Sequence, residues 1–172
     1  MDSVKLAICG NQVSIWNLPE ISKVHEFKKD LGHVTSASWN HDGTCLATCD
    51  SSNSNHINLT YVKKNVYSTV EIVGPNCGTK SQIRALQYPR SSQKCLCLAV
   101  DDRVMFYDVT KKKVRQDFPK IPNITCLAMT QNDKYIAAGN NSGQLYLLNP
   151  LTGRPAFTHP IRIAGTYLFR KY

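Results

Sequence analysis

Histidines, cysteines and paired carboxylates are the residues of this chain equipped for chemistry, and their surroundings decide whether they perform it. Five histidines, His25, His33, His41, His56 and His159, are scattered along the 172 residues. A histidine base needs a serine or cysteine nucleophile at a recognisable elbow, and the sequence sets none beside them. Cys95 and Cys97 alternate within an apolar run, but zinc needs a second pair at the proper spacing, which is missing, so both read as core. Asp101 and Asp102 are adjacent carboxylates placed between two apolar runs, where aspartates form turns. No glycine-rich phosphate loop occurs. These residue types together imply no catalysis, no cofactor and no metal.

Basic residues offer a different kind of chemistry. Lys111, Lys112, Lys113 and Arg115 crowd one polar turn, and Lys63 and Lys64 occupy another. The net charge is +9, which favours an acidic partner: an acidic protein segment, a nucleic-acid backbone or an anionic surface. Lysines on hairpins also keep them solvated and block edge-to-edge pairing. Both roles stand at this level of reading.

The elements that must position these residues are strands. Lys94 to Phe118 divides into three runs, Lys94 to Val100, Arg103 to Val109 and Val114 to Phe118, separated by polar turns. The first is apolar on both faces and must be covered on both, whereas the third alternates as a half-exposed strand does. Three antiparallel strands that grow more polar outward suggest one blade of a β-propeller. Similar runs fill the chain: Val4 to Cys9, Gln12 to Asn17 and Lys23 to Lys28, then Val34 to Asn40, Cys45 to Asp50, Ile57 to Val62 and Ser68 to Val73. Ile83 to Pro89 opens the unit described above. Ile124 to Met129, Tyr135 to Gly139, Gln144 to Leu148 and a weak strand near Pro155 to Thr158 form the last. Asp42-Gly43 marks a hairpin. No segment of ten or more residues has helical periodicity, so the chain is all-β.

These units repeat. Trp16, Tyr61, Tyr107 and Leu148, taken as equivalent third-strand positions, are spaced by 45, 46 and 41 residues (16 to 61, 61 to 107, 107 to 148). VTSASWN, IRALQYP and ITCLAMT align as first strands, and LAICG, LATCD, LAV and IAAG as second strands. A period in the forties with four strands per unit is that of WD-repeat propellers.

At this point the residues resemble the WD-repeat family. Trp16-Asn17 and Tyr107-Asp108 look like variants of its Trp-Asp, and Gly32-His33 like the Gly-His before a first strand. The resemblance implies that His33, a first-strand Ser or Thr, a turn Asp and the Trp form a stiffening tetrad, which is incomplete in every blade here. It also implies a structural role for His33. Leu6 to Leu148, and above all VMFYDVTKKKVRQDF followed by NDKYIAAGNNSGQLYL, resembles the N-terminal propeller of WD-repeat factors that recruit the γ-tubulin ring complex to centrosomes and spindles. That narrower likeness implies a scaffold for microtubule nucleation with centrosomal or spindle protein partners. Capture of the ring complex itself belongs to a helical region that these residues do not contain.

The expectation is an all-β chain forming a partial WD-repeat propeller of about four blades over residues 1–160, its ring incomplete. Residues 161–172 are expected to be an orphan strand, beginning like another first strand, or a non-native tail. The two uncovered ends imply self-association or a partner. Three functions compete: a protein-interaction scaffold, a nucleic-acid-associated WD-repeat protein using the basic rim, and, last, a phosphoinositide binder, whose paired-arginine motif is missing. Seven cysteines, an odd number set largely in apolar runs, point to a reducing, cytoplasmic or nuclear compartment. The glycosylation-like triplets at Asn58, Asn123 and Asn140 are then expected to carry no sugar. No stretch reaches the length of a membrane span, and the expected location is cytoplasmic, on the centrosome or spindle.

Overall fold

The structure, a computed structural model, describes residues 4–27, 33–51, 55–78, 81–157 and 161–162. Its described elements are all strands, arranged in four antiparallel sheets. The first sheet holds β1 (Val4–Cys9), β2 (Val13–Leu18) and β3 (Ser22–Glu26). The second holds β4 (Val34–Trp39), β5 (Cys45–Asp50), β6 (His56–Lys63) and β7 (Val66–Val73). In the third are β8 (Ile83–Gln87), β9 (Cys95–Val100), β10 (Arg103–Asp108) and β11 (Lys113–Asp117). The fourth has β12 (Ile124–Met129), β13 (Ile136–Asn140), β14 (Gln144–Asn149) and β15 (Arg154–Pro155), with β16 (Ile161–Arg162) also on β14. Within each sheet the chain meanders from one strand to the next by hairpins, except that β15 and β16 follow one another along the same edge of β14.

Burial follows the polarity gradient of the sequence. β9 is buried at all six positions, while β11 is exposed at four of five. Innermost strands pack side by side, β4 against β8 and β8 against β12. Ser36 links the first pair, its Oγ donating to Leu86 O (3.2 Å) and accepting from Leu86 N (3.1 Å), and Ser38 Oγ accepts from Tyr88 N at 3.0 Å. Residue numbers rise together along this seam, so neighbouring sheets run the same way and their corresponding turns lie at the same end. Three apolar cores fill the three junctions, each dominated by side chains from two adjacent sheets. This is a partial β-propeller of four blades whose sheets do not close on themselves.

Register fixes which residues are equivalent. Trp16 pairs with Leu6, Thr60 with Leu46, Tyr107 with Leu96 and Leu148 with Ile136. The third-strand equivalent in the second sheet is therefore Thr60, one residue before the expected Tyr61. Thr60 is buried on the side toward the first sheet and bonds Thr69 Oγ1 at 2.9 Å, whereas Tyr61, on the other side of the strand, is 44% exposed. Trp16, Tyr107 and Leu148 keep their expected equivalence, with spacings of 44, 47 and 41 residues (16 to 60, 60 to 107, 107 to 148).

The same alignment makes β1 a second strand. The first sheet thus has no innermost strand among the described residues. Ile161–Arg162, whose sequence is like that of a first strand, lies instead on the outer side of β14, opposite Leu145 and Gln144. Together with β15 it makes the outer edge of the fourth sheet in two pieces. Thr158 of the expected fourth strand lies outside the described residues, as does Gly32.

Candidate partner-binding surface

The basic turns are built by two different local devices. In the second sheet Lys63 pairs with Val66, leaving Lys64 and Asn65 as a two-residue turn. Both have positive φ, 47° and 63°, the geometry that matches the twist of two paired strands. Asparagine tolerates this region well; lysine does so at some steric cost.

In the third sheet the turn is organised by Asp108, which is 1% exposed. Its Oδ1 accepts from Thr110 N (3.0 Å), Thr110 Oγ1 (2.7 Å) and Lys111 N (2.9 Å). Its Oδ2 accepts from Arg115 Nε (3.0 Å) and Nη2 (2.6 Å). The backbone bond from Lys111 and the Thr110 hydroxyl, with Arg115 adding to them, hold this carboxyl well below the usual carboxylate range. Arg115 is in turn held charged by Asp108. Of the six residues assigned to the basic rim, Arg115 is thus committed to the turn itself. Lys63, Lys64, Lys111, Lys112 and Lys113 are exposed and pair with no acid among the described residues.

Both turns join the third strand to the fourth, so they share one end of neighbouring sheets. The corresponding turn of the fourth sheet uses the same device without the charge: Asn149 Oδ1 accepts from Leu151 N at 2.9 Å, and Leu151 is 91% exposed. The positive stripe is therefore confined to the second and third sheets.

A second concave surface lines the axis. β4, β8 and β12 each carry a bulge at the same place, so Thr35, Arg84 and Thr125 project from one level. Thr35 and Thr125 bond the carbonyls of Cys49 and Gly139, each at 3.3 Å. Two open cavities of about 570 and 530 Å³ adjoin them, and Arg84 borders both. His33 lies at the mouth of the first, exposed, and its carbonyl accepts from Ser51 N. Asp101 and Asp102 act as turn formers, accepting from Gln82 N (2.9 Å) and Asn123 N (2.8 Å). The bulges went unseen in the sequence because nothing in VTSASWN, IRALQYP and ITCLAMT marks an unpaired residue.

The cysteines are free thiols. Burial pushes the Cys49 thiol up to about 11 and raises the fully buried Cys97 further. Among the described residues no three His, Cys, Asp or Glu side chains gather as a metal site would require. Asn58 and Asn140 are buried, so two of the three glycosylation-like triplets are inaccessible in the folded chain. No described helix is long and apolar enough to cross a membrane.

Residues 22–59 match the WD domain, G-beta repeat family. Among solved structures the chain is similar to the β-propeller domain of Cps50 (Swd1) from Myceliophteria thermophila, with TM-score 0.68 and 18% identity. That similarity covers 95% of this chain and 52% of the other, so the chain spans about half the length of that propeller. No curated protein is significantly similar in sequence.

Proposed function

We propose that this chain is a non-catalytic protein-interaction scaffold that presents its lysine hairpins to an acidic protein segment. The observation that carries this reading is the pair of adjacent turns, at one end of neighbouring sheets, whose five lysines find no acid among the described residues. A rigid base makes these charges available: Asp108 and Arg115 lock one hairpin, and the two-residue turn locks the other. Exposed lysine stripes of this kind steer and hold acidic partners through long-range attraction that weakens with salt.

The specific form of the proposal is part of a factor that localises γ-tubulin ring complexes for microtubule nucleation, acting in the cytoplasm at centrosomes or spindles. Its support is the likeness of VMFYDVTKKKVRQDF and NDKYIAAGNNSGQLYL to such factors, together with a partial propeller fold. Fluorescently tagged chain in dividing cells is expected to concentrate at spindle poles. Diffuse fluorescence would remove the specific form and leave the scaffold reading to the binding test.

For that test, a glutamate-rich tubulin-tail peptide is titrated against the chain by fluorescence anisotropy. Replacing Lys64, Lys111 and Lys112 together by Glu is expected to weaken binding at least about tenfold, roughly 1.4 kcal/mol. Equal affinity of wild type and variant would overturn the assignment. Tighter binding of a single-stranded RNA of similar charge, with a steep salt slope, would favour a nucleic-acid partner instead.

A further inference from the structure

The register shows what each sheet expects on either side. In second strands, Leu46, Leu96 and Ile136 are equivalent and face the preceding sheet; their exposures are 1%, 0% and 0%. Leu6 is the same position in the first sheet and is 45% exposed. Ile8 is 50% exposed, while its equivalents Thr48, Leu98 and Ala138 are 1%, 0% and 0%. The outer face of the first sheet is therefore an interior junction face without its cover among the described residues.

The opposite end shows the complementary lack. Val13, Ile57 and Val104 are equivalent third-strand positions facing the following sheet, and each is 0% exposed. Leu145 occupies that position in the fourth sheet and is only half-buried. The two kinds of face differ in relief. Faces toward the following sheet pair these aliphatics with small second-strand residues, Ala47 and Cys49, Cys97 and Ala99, or Ala137 and Gly139. Faces toward the preceding sheet carry a large aliphatic at the first of their second-strand positions, Leu6, Leu46, Leu96 or Ile136, and the first sheet adds Ile8 beside it. The open face of the fourth sheet is thus shaped for the open face of the first.

We infer that two copies of this chain associate head to tail, the first sheet of each packing on the fourth sheet of the other, to close an eight-sheet ring. Two observations select a second copy as the occupant. The chain itself carries both halves of the missing junction. Its arc also follows 52% of the Cps50 propeller chain, so two arcs complete about one turn. Eight sheets lie within the range of propeller rings, and a head-to-tail interface makes a ring when the rotation closes.

The test uses the whole 172-residue chain and sedimentation equilibrium with two variants, Leu6→Asp and Leu145→Asp. Wild type is expected to be a dimer, and each variant alone a monomer. An equimolar mixture of the two variants is expected to restore a dimer, because one intact junction survives between unlike copies. Circular dichroism and a cooperative melt for each variant separate loss of contact from loss of fold. Four results would overturn the inference. They are a monomeric wild type, as when the remaining half of a longer chain is the natural cover; a Leu145→Asp variant that still dimerises; a mixture that stays monomeric; and open-ended growth of the wild type with concentration.

Discussion

The second strands of the first and third sheets are written in nearly the same pattern, yet one is half-exposed and the other dry. LAICG and LCLAV both place large aliphatics on one face of a second strand. In the third sheet Leu96 and Leu98 are fully buried between neighbours; in the first, Leu6 and Ile8 meet solvent. The difference lies in the flanking sheets, not in the strands. Burying one such side chain is worth about 1.5–3 kcal/mol, so a sheet in the middle of the arc is held by its neighbours while the first must be held from one side. In a solenoid-like stack, stability is a property of junctions.

The widest contrast is expected from introducing a charge at the register position that the sequence misplaces. Thr60→Lys leaves an unpaired charge in the junction and should lower unfolding stability by about 3–5 kcal/mol. Tyr61→Lys, one residue away at a position that is 44% exposed, should cost less than about 1 kcal/mol. Urea denaturation compares them, and equal losses would restore Tyr61 to the junction. Next in size, Leu98→Ala should cost about 2–5 kcal/mol. Ile8→Ala, measured at low protein concentration with the end face uncovered, should cost less than about 1 kcal/mol. Similar costs would mean that the first sheet is covered in the single chain.

A smaller effect concerns acid. The Asp108 carboxyl is depressed in the folded chain, so it stabilises the fold above its unfolded value, about 3.9. That contribution disappears as pH falls through the depressed folded value. Asp108→Asn should therefore melt at a lower temperature than wild type at pH 6, with the gap narrowing below about pH 4. A gap that is constant from pH 6 to pH 2.5 would show that the charge on Asp108 is not what holds the turn.

Much of this architecture was legible because β periodicity is local. Cys95 to Val100 announces a doubly covered strand in its own letters, and Asp42-Gly43 announces a turn. The four-unit repeat follows from counting such strands. What depended on distant partners was harder to read. Tyr61 looked like the aromatic equivalent of Tyr107, but pairing with Cys45 puts it on the other side of its strand from Thr60, at the half-exposed margin of the face toward the third sheet. Arg115 looked like part of a free basic cluster, since no rule of spacing reveals that Asp108 folds back to hold it. The bulges at Thr35, Arg84 and Thr125 and the divided outer strand of the fourth sheet are tertiary in origin. The exposed lysines, by contrast, needed only charge and turn position to be found.

Amide hydrogen exchange at low protein concentration, with the end faces uncovered, read by mass spectrometry on the second strands of the four sheets, tests the stacked-arc account most directly. Peptides over Cys95–Val100, paired on both edges and covered on both faces, should be the slowest to exchange. Those over Val4–Cys9, paired with β2 alone among the described strands, should be the fastest by several orders of magnitude. Equal protection of the two would contradict an arc in which junctions between sheets carry the stability.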